Sequence, residues 1–218
     1  MVLSNSGSLA LALALMLLRV TALGAVTDDA GKPDAERPAA GADAALETIE
    51  TFHRQLVGLA ANPGEGLALR VAALTPVVVA THDFQYIARF TLRRQWQGFT
   101  PEQRASFVEA FSQLSVMTYA TRFDEVTASS FSIKGVSAAG RGRIQVEAFI
   151  NRPEGAPIPL NYLLQAGDHG WRIINIIADG VSDLALKRAE YQRVFADVGL
   201  PGLLAHIQQL TASMDNSS

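Results

Sequence analysis

The 218-residue chain contains no cysteine. That excludes disulfides, thiolate nucleophiles, thiolate metal ligands and a lipid-modified N-terminal cysteine. Charge is sparse too: Lys, Arg, Asp and Glu make up 18% of residues, the formal net charge is −3, and acids and bases are interspersed rather than blocked. Nucleic acid is therefore a poor partner, because phosphate-backbone binding needs clustered Lys and Arg. The four histidines, His53, His82, His169 and His206, stand at no metal-ligand spacing, so no metal site is expected. The longest apolar run, Leu9 to Leu18, is too short to cross a bilayer.

Apolar residues make up 49% of the chain and the mean hydropathy is +0.16. Part of this excess is N-terminal. Leu9 to Leu18 is followed by Arg19 and then Thr21-Ala22-Leu23-Gly24-Ala25, which reads as a secretory signal peptide over 1–24, with Ala22 and Gly24 as the small residues near the cleavage point. Met1 to Ser8 carries no Lys or Arg, so an uncleaved N-terminal anchor is the alternative. Residues 25–44 are Asp, Ala, Gly and Pro with almost nothing large and apolar, the composition of a flexible linker. One globular domain is expected over 45–212, with a disordered tail at 213–218.

Helical periodicity begins at Leu46 and continues through Ile49, Phe52 or His53, Leu56 and Leu59, with Asn62-Pro63-Gly64 as the stop. Leu67, Val71, Leu74 and Val78 form a second helical face, and Pro76 predicts a break near Thr75. Asp83 can cap a short helix carrying Phe84, Ile87 and Phe90. Thr100, Pro101 and Gln103 open a long helix as a capping box, with Phe107, Phe111, Leu114 and Met117 on its apolar face. Beyond Arg122 the period falls to two. Phe131 and Ile133 lie on one strand; Ile144, Val146, Ala148 and Ile150 alternate with Arg143, Gln145, Glu147 and Phe149 on the next. Ile158, Leu160, Tyr162 and Leu164 follow. A fourth strand, Trp171 to Ala178, is apolar on both faces and is expected to be central. Ser182 to Ala196 and Gly199 to Leu210 return to helical period. The fold class is α+β: N-terminal helices, a four-stranded curved antiparallel sheet and C-terminal helices enclosing an apolar pocket.

Two catalytic readings can be set against these residues. Gly180-Val181-Ser182-Asp183-Leu184 sits between strand and helix as a nucleophile elbow does, with His169 and Asp179 as conceivable partners, but Leu184 stands where the elbow needs glycine. Ser182 is better read as a helix cap. A cone-shaped isomerase pocket would use Tyr162, Tyr119 and Asp179, yet Asp179 lies at a strand end and no second acid is expected to face inward. No enzyme activity and no cofactor are expected.

The run Gly170 to Ser182 with its following charged helix, preceded by Phe84-Gln85-Tyr86-Ile87-Ala88-Arg89-Phe90, Trp96 and Thr100-Pro101-Glu102-Gln103-Arg104, resembles the MlaC/toluene-tolerance family of periplasmic lipid carriers. The resemblance runs from about Leu46 to Leu210. It implies that the inward row is the wall of a lipid cavity rather than a plain core: Phe107, Phe111, Leu114, Met117, Ile144, Val146, Ala148, Ile150, Leu160, Tyr162, Leu164, Ile174 and Ile176. Asp183-Leu184-Ala185 and Arg188-Ala189-Glu190-Tyr191 look more like the hopanoid-biosynthesis-associated branch, HpnM, than the phospholipid-carrying branch. The resemblance thus implies a periplasmic monomer that binds a hopanoid, a sterol-like lipid or a phospholipid. It would shuttle that lipid between the inner and outer membranes, docking transiently on an inner-membrane lipid transporter complex.

Overall fold

The computed structural model describes residues 41–60, 66–122, 130–152 and 154–215. The signal-peptide stretch, most of the linker, the Asn62-Pro63-Gly64 stop and the last three residues lie outside them. Four helices come first: α1 Ala42–Ala60, α2 Leu67–Thr81, α3 Phe84–Gln97 and α4 Pro101–Arg122. The strands are β1 Phe131–Ala138, β2 Arg143–Ile150, β3 Ile158–Gly167, β4 Gly170–Ala178 and the two-residue β5 Val181–Ser182, before a final helix, α5 Asp183–Asp215. The expected α+β architecture is present, with five strands in place of four.

Local chemistry sets several boundaries. Gln103 N–H donates to Thr100 Oγ1 at 3.2 Å and Thr100 N–H to Gln103 Oε1 at 2.9 Å, a reciprocal capping box that starts α4. The Asp83 carboxylate accepts from Tyr86 N–H at 2.8 Å and starts α3. Ser182 Oγ accepts from Ala185 N–H at 3.1 Å and donates to Asn175 Oδ1 at 3.0 Å, so the cap of α5 is itself anchored to β4.

Several boundaries differ from the sequence reading. Helix α1 begins at Ala42, inside the stretch expected as linker, because Ala42 and Ala45 are small enough to bury. Helix α5 runs to Asp215, into the expected tail. Helix α2 continues through Pro76: Leu74 and Val78, on either side of the proline, are both fully buried, and burial worth about 1.5–3 kcal/mol each offsets a proline cost of about 3 kcal/mol. The helix after Asp83 extends to Gln97 but breaks at Arg93, φ 37° and ψ −99°. The two expected C-terminal helices form one element divided at Gly199, φ 65° and ψ −170°, with Pro201 just beyond.

The sheet is an antiparallel meander of order β1-β2-β3-β4-β5. Its inward residues pair in layers across three strands: Ile144, Leu164 and Ile173; Val146, Tyr162 and Ile176; Ala148, Leu160 and Ala178. Between Leu163↔Asn175 and Leu164↔Ile173 the register shifts by one residue, leaving Ile174 as a bulge. Strand β4 is not central as expected. Only the two-residue β5 pairs beyond it, and its remaining edge is met by a parallel bridge from His82 to Ile173, with Asp83 N–H donating to Ile173 O at 2.9 Å. The strand reads as apolar on both faces because the bulge turns Ile173 and Ile174 into buried positions on adjacent residues.

Removing the Thr100 hydroxyl tests the capping box. Thr100→Ala is expected to lower the free energy of unfolding by about 1 kcal/mol, read as a lower urea midpoint with an unchanged slope.

Candidate functional site

An apolar cavity lies between the inner face of the sheet and the helices. From α1 it takes Phe52 and Leu56, and from the α2–α3 junction His82, Phe84 and Ile87. Helix α4 contributes Phe111, Ser115, Thr118 and Tyr119. The sheet supplies Ile150, Leu160, Tyr162, Ile173, Ile174, Asn175 and Ile176, and the first turn of α5 closes the ring with Asp183, Leu184 and Lys187. The free space is about 840 Å³ counted out to the mouth, of which about 100 Å³ is wide enough for the centre of a water molecule. The site is a narrow slot.

Six of the residues expected in the cavity wall line it: Phe111, Ile150, Leu160, Tyr162, Ile174 and Ile176. The structure places Phe107, Leu114, Ile144, Val146, Ala148 and Leu164 in solid core instead, each buried without lining the slot. Met117 is half-buried, and its neighbour Val116 takes the buried position. The division runs across the sheet rather than along a strand: Ile173, Ile174, Asn175 and Ile176 of β4 and Leu160 and Tyr162 of β3 line the slot, whereas β2 reaches it only through its last residue, Ile150. The contribution of α1 and of the His82–Ile87 segment is absent from the sequence reading. Their apolar period is visible there, but their approach to the sheet depends on contacts remote in sequence.

Two histidines enter this apolar setting, and each is paired with a tyrosine. His53 Nε2 lies 2.8 Å from Tyr162 Oη, and the His53 ring stacks on Phe131 with centroids 4.1 Å apart. His82 Nδ1 lies 3.1 Å from Val78 O. A carbonyl can only accept, so Nδ1 carries the proton and Nε2 accepts from Tyr119 O–H at 3.0 Å. Burial lowers the pKa of both histidines to about 4, and for His82 the Val78 hydrogen bond opposes this only in part. Burial likewise raises Tyr119 and Tyr162 above the ordinary tyrosine value. Near neutral pH the interior holds polar groups but no charge. Charge is kept to the rim, where Lys187 pairs with Asp183 and sits 5.7 Å from the Phe111 ring.

The catalytic constellations do not assemble. His169 is at the β3–β4 turn and Ser182 at the far end of β4, a separation on the order of 25 Å at the rise of an extended strand. Ser182 is committed to Asn175 and the α5 cap. Asp179 is exposed in a turn at φ 50°, away from Tyr119 and Tyr162, and the acid at the cavity, Asp183, is ion-paired. Among the described residues no group of His, Asp and Glu is arranged to hold a metal ion.

The histidines make stability depend on pH. Their folded pKa of about 4 is below the unfolded value of 6.5, so between these values the unfolded chain binds more protons. Stability then falls as pH drops from 6.5 toward 4, by about 3 kcal/mol for each histidine once both states are fully protonated. Urea unfolding at pH 7 and pH 4.5 is expected to show the loss. A midpoint unchanged across that window would contradict buried neutral histidines.

The profile of a family described as MlaC protein matches residues 50–209. A phospholipid-binding protein from Ralstonia solanacearum, solved in complex with a phospholipid, has a similar structure: TM-score 0.69 at 20% identity, covering 80% of this chain and 98% of that one. The two share a fold. Helices leading into an antiparallel meander, the strand-to-helix junction at Ser182 and a family match across most of the chain agree, and the protein belongs to the MlaC family.

Proposed function

We propose that this protein is a lipid-binding carrier that holds the apolar part of a lipid in the slot between the sheet, α1 and α4. The observation that carries this reading is the slot's inner surface. Apolar side chains make most of it, its His82–Tyr119 pair is neutral and hydrogen-bonded, and the hydroxyl of its Tyr162 is bonded to His53. Such a wall holds an alkyl chain by area, at about 0.8 kcal/mol per buried methylene.

A phospholipid is the occupant best supported. Its acyl chains can bend to follow a narrow space, and the similar Ralstonia protein was solved with a phospholipid. A hopanoid or sterol-like lipid is the second reading, favoured by the Asp183-Leu184-Ala185 and Arg188-Ala189-Glu190-Tyr191 pattern alone. Among the described residues no helix is long and apolar enough to cross a membrane. The proposal extends to a periplasmic monomer that moves lipid between inner and outer membranes and docks transiently on an inner-membrane transporter complex, as membership of the MlaC family suggests.

Native mass spectrometry of protein purified from its own periplasm, followed by extraction and identification of the bound lipid, tests the reading directly. Phospholipid is expected, a hopanoid would establish the second reading, and protein that neither retains nor takes up lipid would end both. A variant sharpens the location. Ile176 faces the slot, so Ile176→Trp is expected to reduce lipid loading about tenfold or more, a difference of about 1.4 kcal/mol, on protein that still unfolds cooperatively.

A further inference from the structure

Behind Ile174, Asn175 and Leu184, which line the slot, the same three residues line a second, wider cleft between α3, α5 and the sheet. It measures about 890 Å³ out to its mouth, and about 450 Å³ of that admits the centre of a water molecule. Its floor is a pair of stacked rings, Tyr86 and Phe90, with centroids 6.1 Å apart. Four guanidinium groups surround that pair. Arg89 and Arg143 lie 5.7 and 5.6 Å from the Tyr86 ring, and Arg93 and Arg188 lie 4.7 and 5.6 Å from the Phe90 ring. Arg143 and Arg188 line this cleft, and Arg89, Arg93 and Arg94 line the adjoining one, which shares Tyr86 and Phe90.

No carboxylate lines either cleft, and among the described residues none pairs with these five arginines. Nearby acids are engaged elsewhere: Asp183 with Lys187, Glu190 with His206 and Asp83 with the α3 cap. In a chain of net charge −3, this concentration of one sign is repulsive within itself. An anion relieves the repulsion, and guanidinium forks match the geometry of phosphate oxygens.

We infer that this arginine cleft binds the phosphate of an anionic lipid headgroup, on the other side of the Ile174–Asn175–Leu184 wall from the slot that takes the chains. The inference rests on the lipid-carrier reading and adds a headgroup preference to it. Two hydrogen bonds hold the Arg143 guanidinium in place, one donated to Tyr86 Oη at 2.9 Å and one to Gln165 Oε1 at 3.3 Å. Arg188 reaches the cleft from the first turns of α5.

The test loads delipidated full-length protein with equal amounts of dioleoylphosphatidylglycerol and dioleoylglycerol, which have the same chains with and without phosphate. Wild-type protein is expected to take up the phosphatidylglycerol about tenfold over the diacylglycerol. Arg188→Gln should weaken that preference and Arg143→Gln/Arg188→Gln abolish it, with diacylglycerol loading as in wild type, while Arg188→Lys keeps part of it. Arg188 makes no hydrogen bond that folding requires among the described residues, so the single variant remains informative if the double variant unfolds. Excess inorganic phosphate should erode the preference and leave diacylglycerol in place. An unchanged preference in folded Arg188→Gln overturns the proposal, as does wild-type loading without preference. Calorimetric binding of inorganic phosphate to wild type, lost in Arg188→Gln, with no lipid preference would assign the cleft to free phosphate instead. If wild type loads neither lipid, the carrier reading falls and this site falls with it.

Discussion

The junction of α2 and α3 on the bulged edge of β4 is the contact on which the rest of the structure depends. At His82 and Asp83 the chain leaves one helix, bridges Ile173 and enters the next. His82 Nδ1–H is bound to the carbonyl of Val78 one turn back, and its Nε2 holds the Tyr119 hydroxyl of α4. Phe52 of α1 packs edge-on against both the His82 and Tyr119 rings at 5.1 Å. One dipeptide thus ties four helices to the sheet. It also covers the edge that β5 is too short to pair, where an open strand would invite association with another chain.

This arrangement explains how an apolar slot can coexist with buried polar groups. An unpaired hydroxyl or imidazole in such a place would cost on the order of 1–3 kcal/mol. Each histidine removes that cost by partnering a tyrosine, and burial keeps the imidazole neutral, so Tyr162, His82 and Tyr119 line the space with their polar atoms satisfied and uncharged. Charge enters the slot only as the Lys187–Asp183 pair at its rim, and arginines gather in the cleft behind it. The bulge at Ile174 matters to both, since it brings a residue shared by slot and cleft into the wall between them.

Most of the helices and strands are legible in the sequence because their signals are local. Thr100 and Gln103 cap α4 through bonds to each other's backbone, and Ile144, Val146, Ala148 and Ile150 alternate with polar neighbours because successive strand side chains point to opposite faces. Pro76 misleads for the opposite reason. Its local penalty is real, but the burial of Leu74 and Val78 against other elements offsets it. Strand β4 reads as central because two buried faces in a sequence look alike whether a second strand or a helix junction covers the edge.

Periodicity and capping act over one or two turns of chain, and they suffice for the α+β class, the order of elements and the set of apolar residues that face inward. Which of those inward residues line open space and which fill solid core is a tertiary matter, because it depends on how far helices of distant sequence approach each layer of the sheet. The same long-range packing pairs His53 with Tyr162 and His82 with Tyr119, across 109 and 37 residues. It also gathers Arg89, Arg93, Arg143 and Arg188 around two rings. Along the chain Arg89 and Arg93 stand with Arg94 in a stretch without acids, residues 84–101, but a linear sequence carries no record that the fold brings Arg143 and Arg188 within a few ångströms of the same rings.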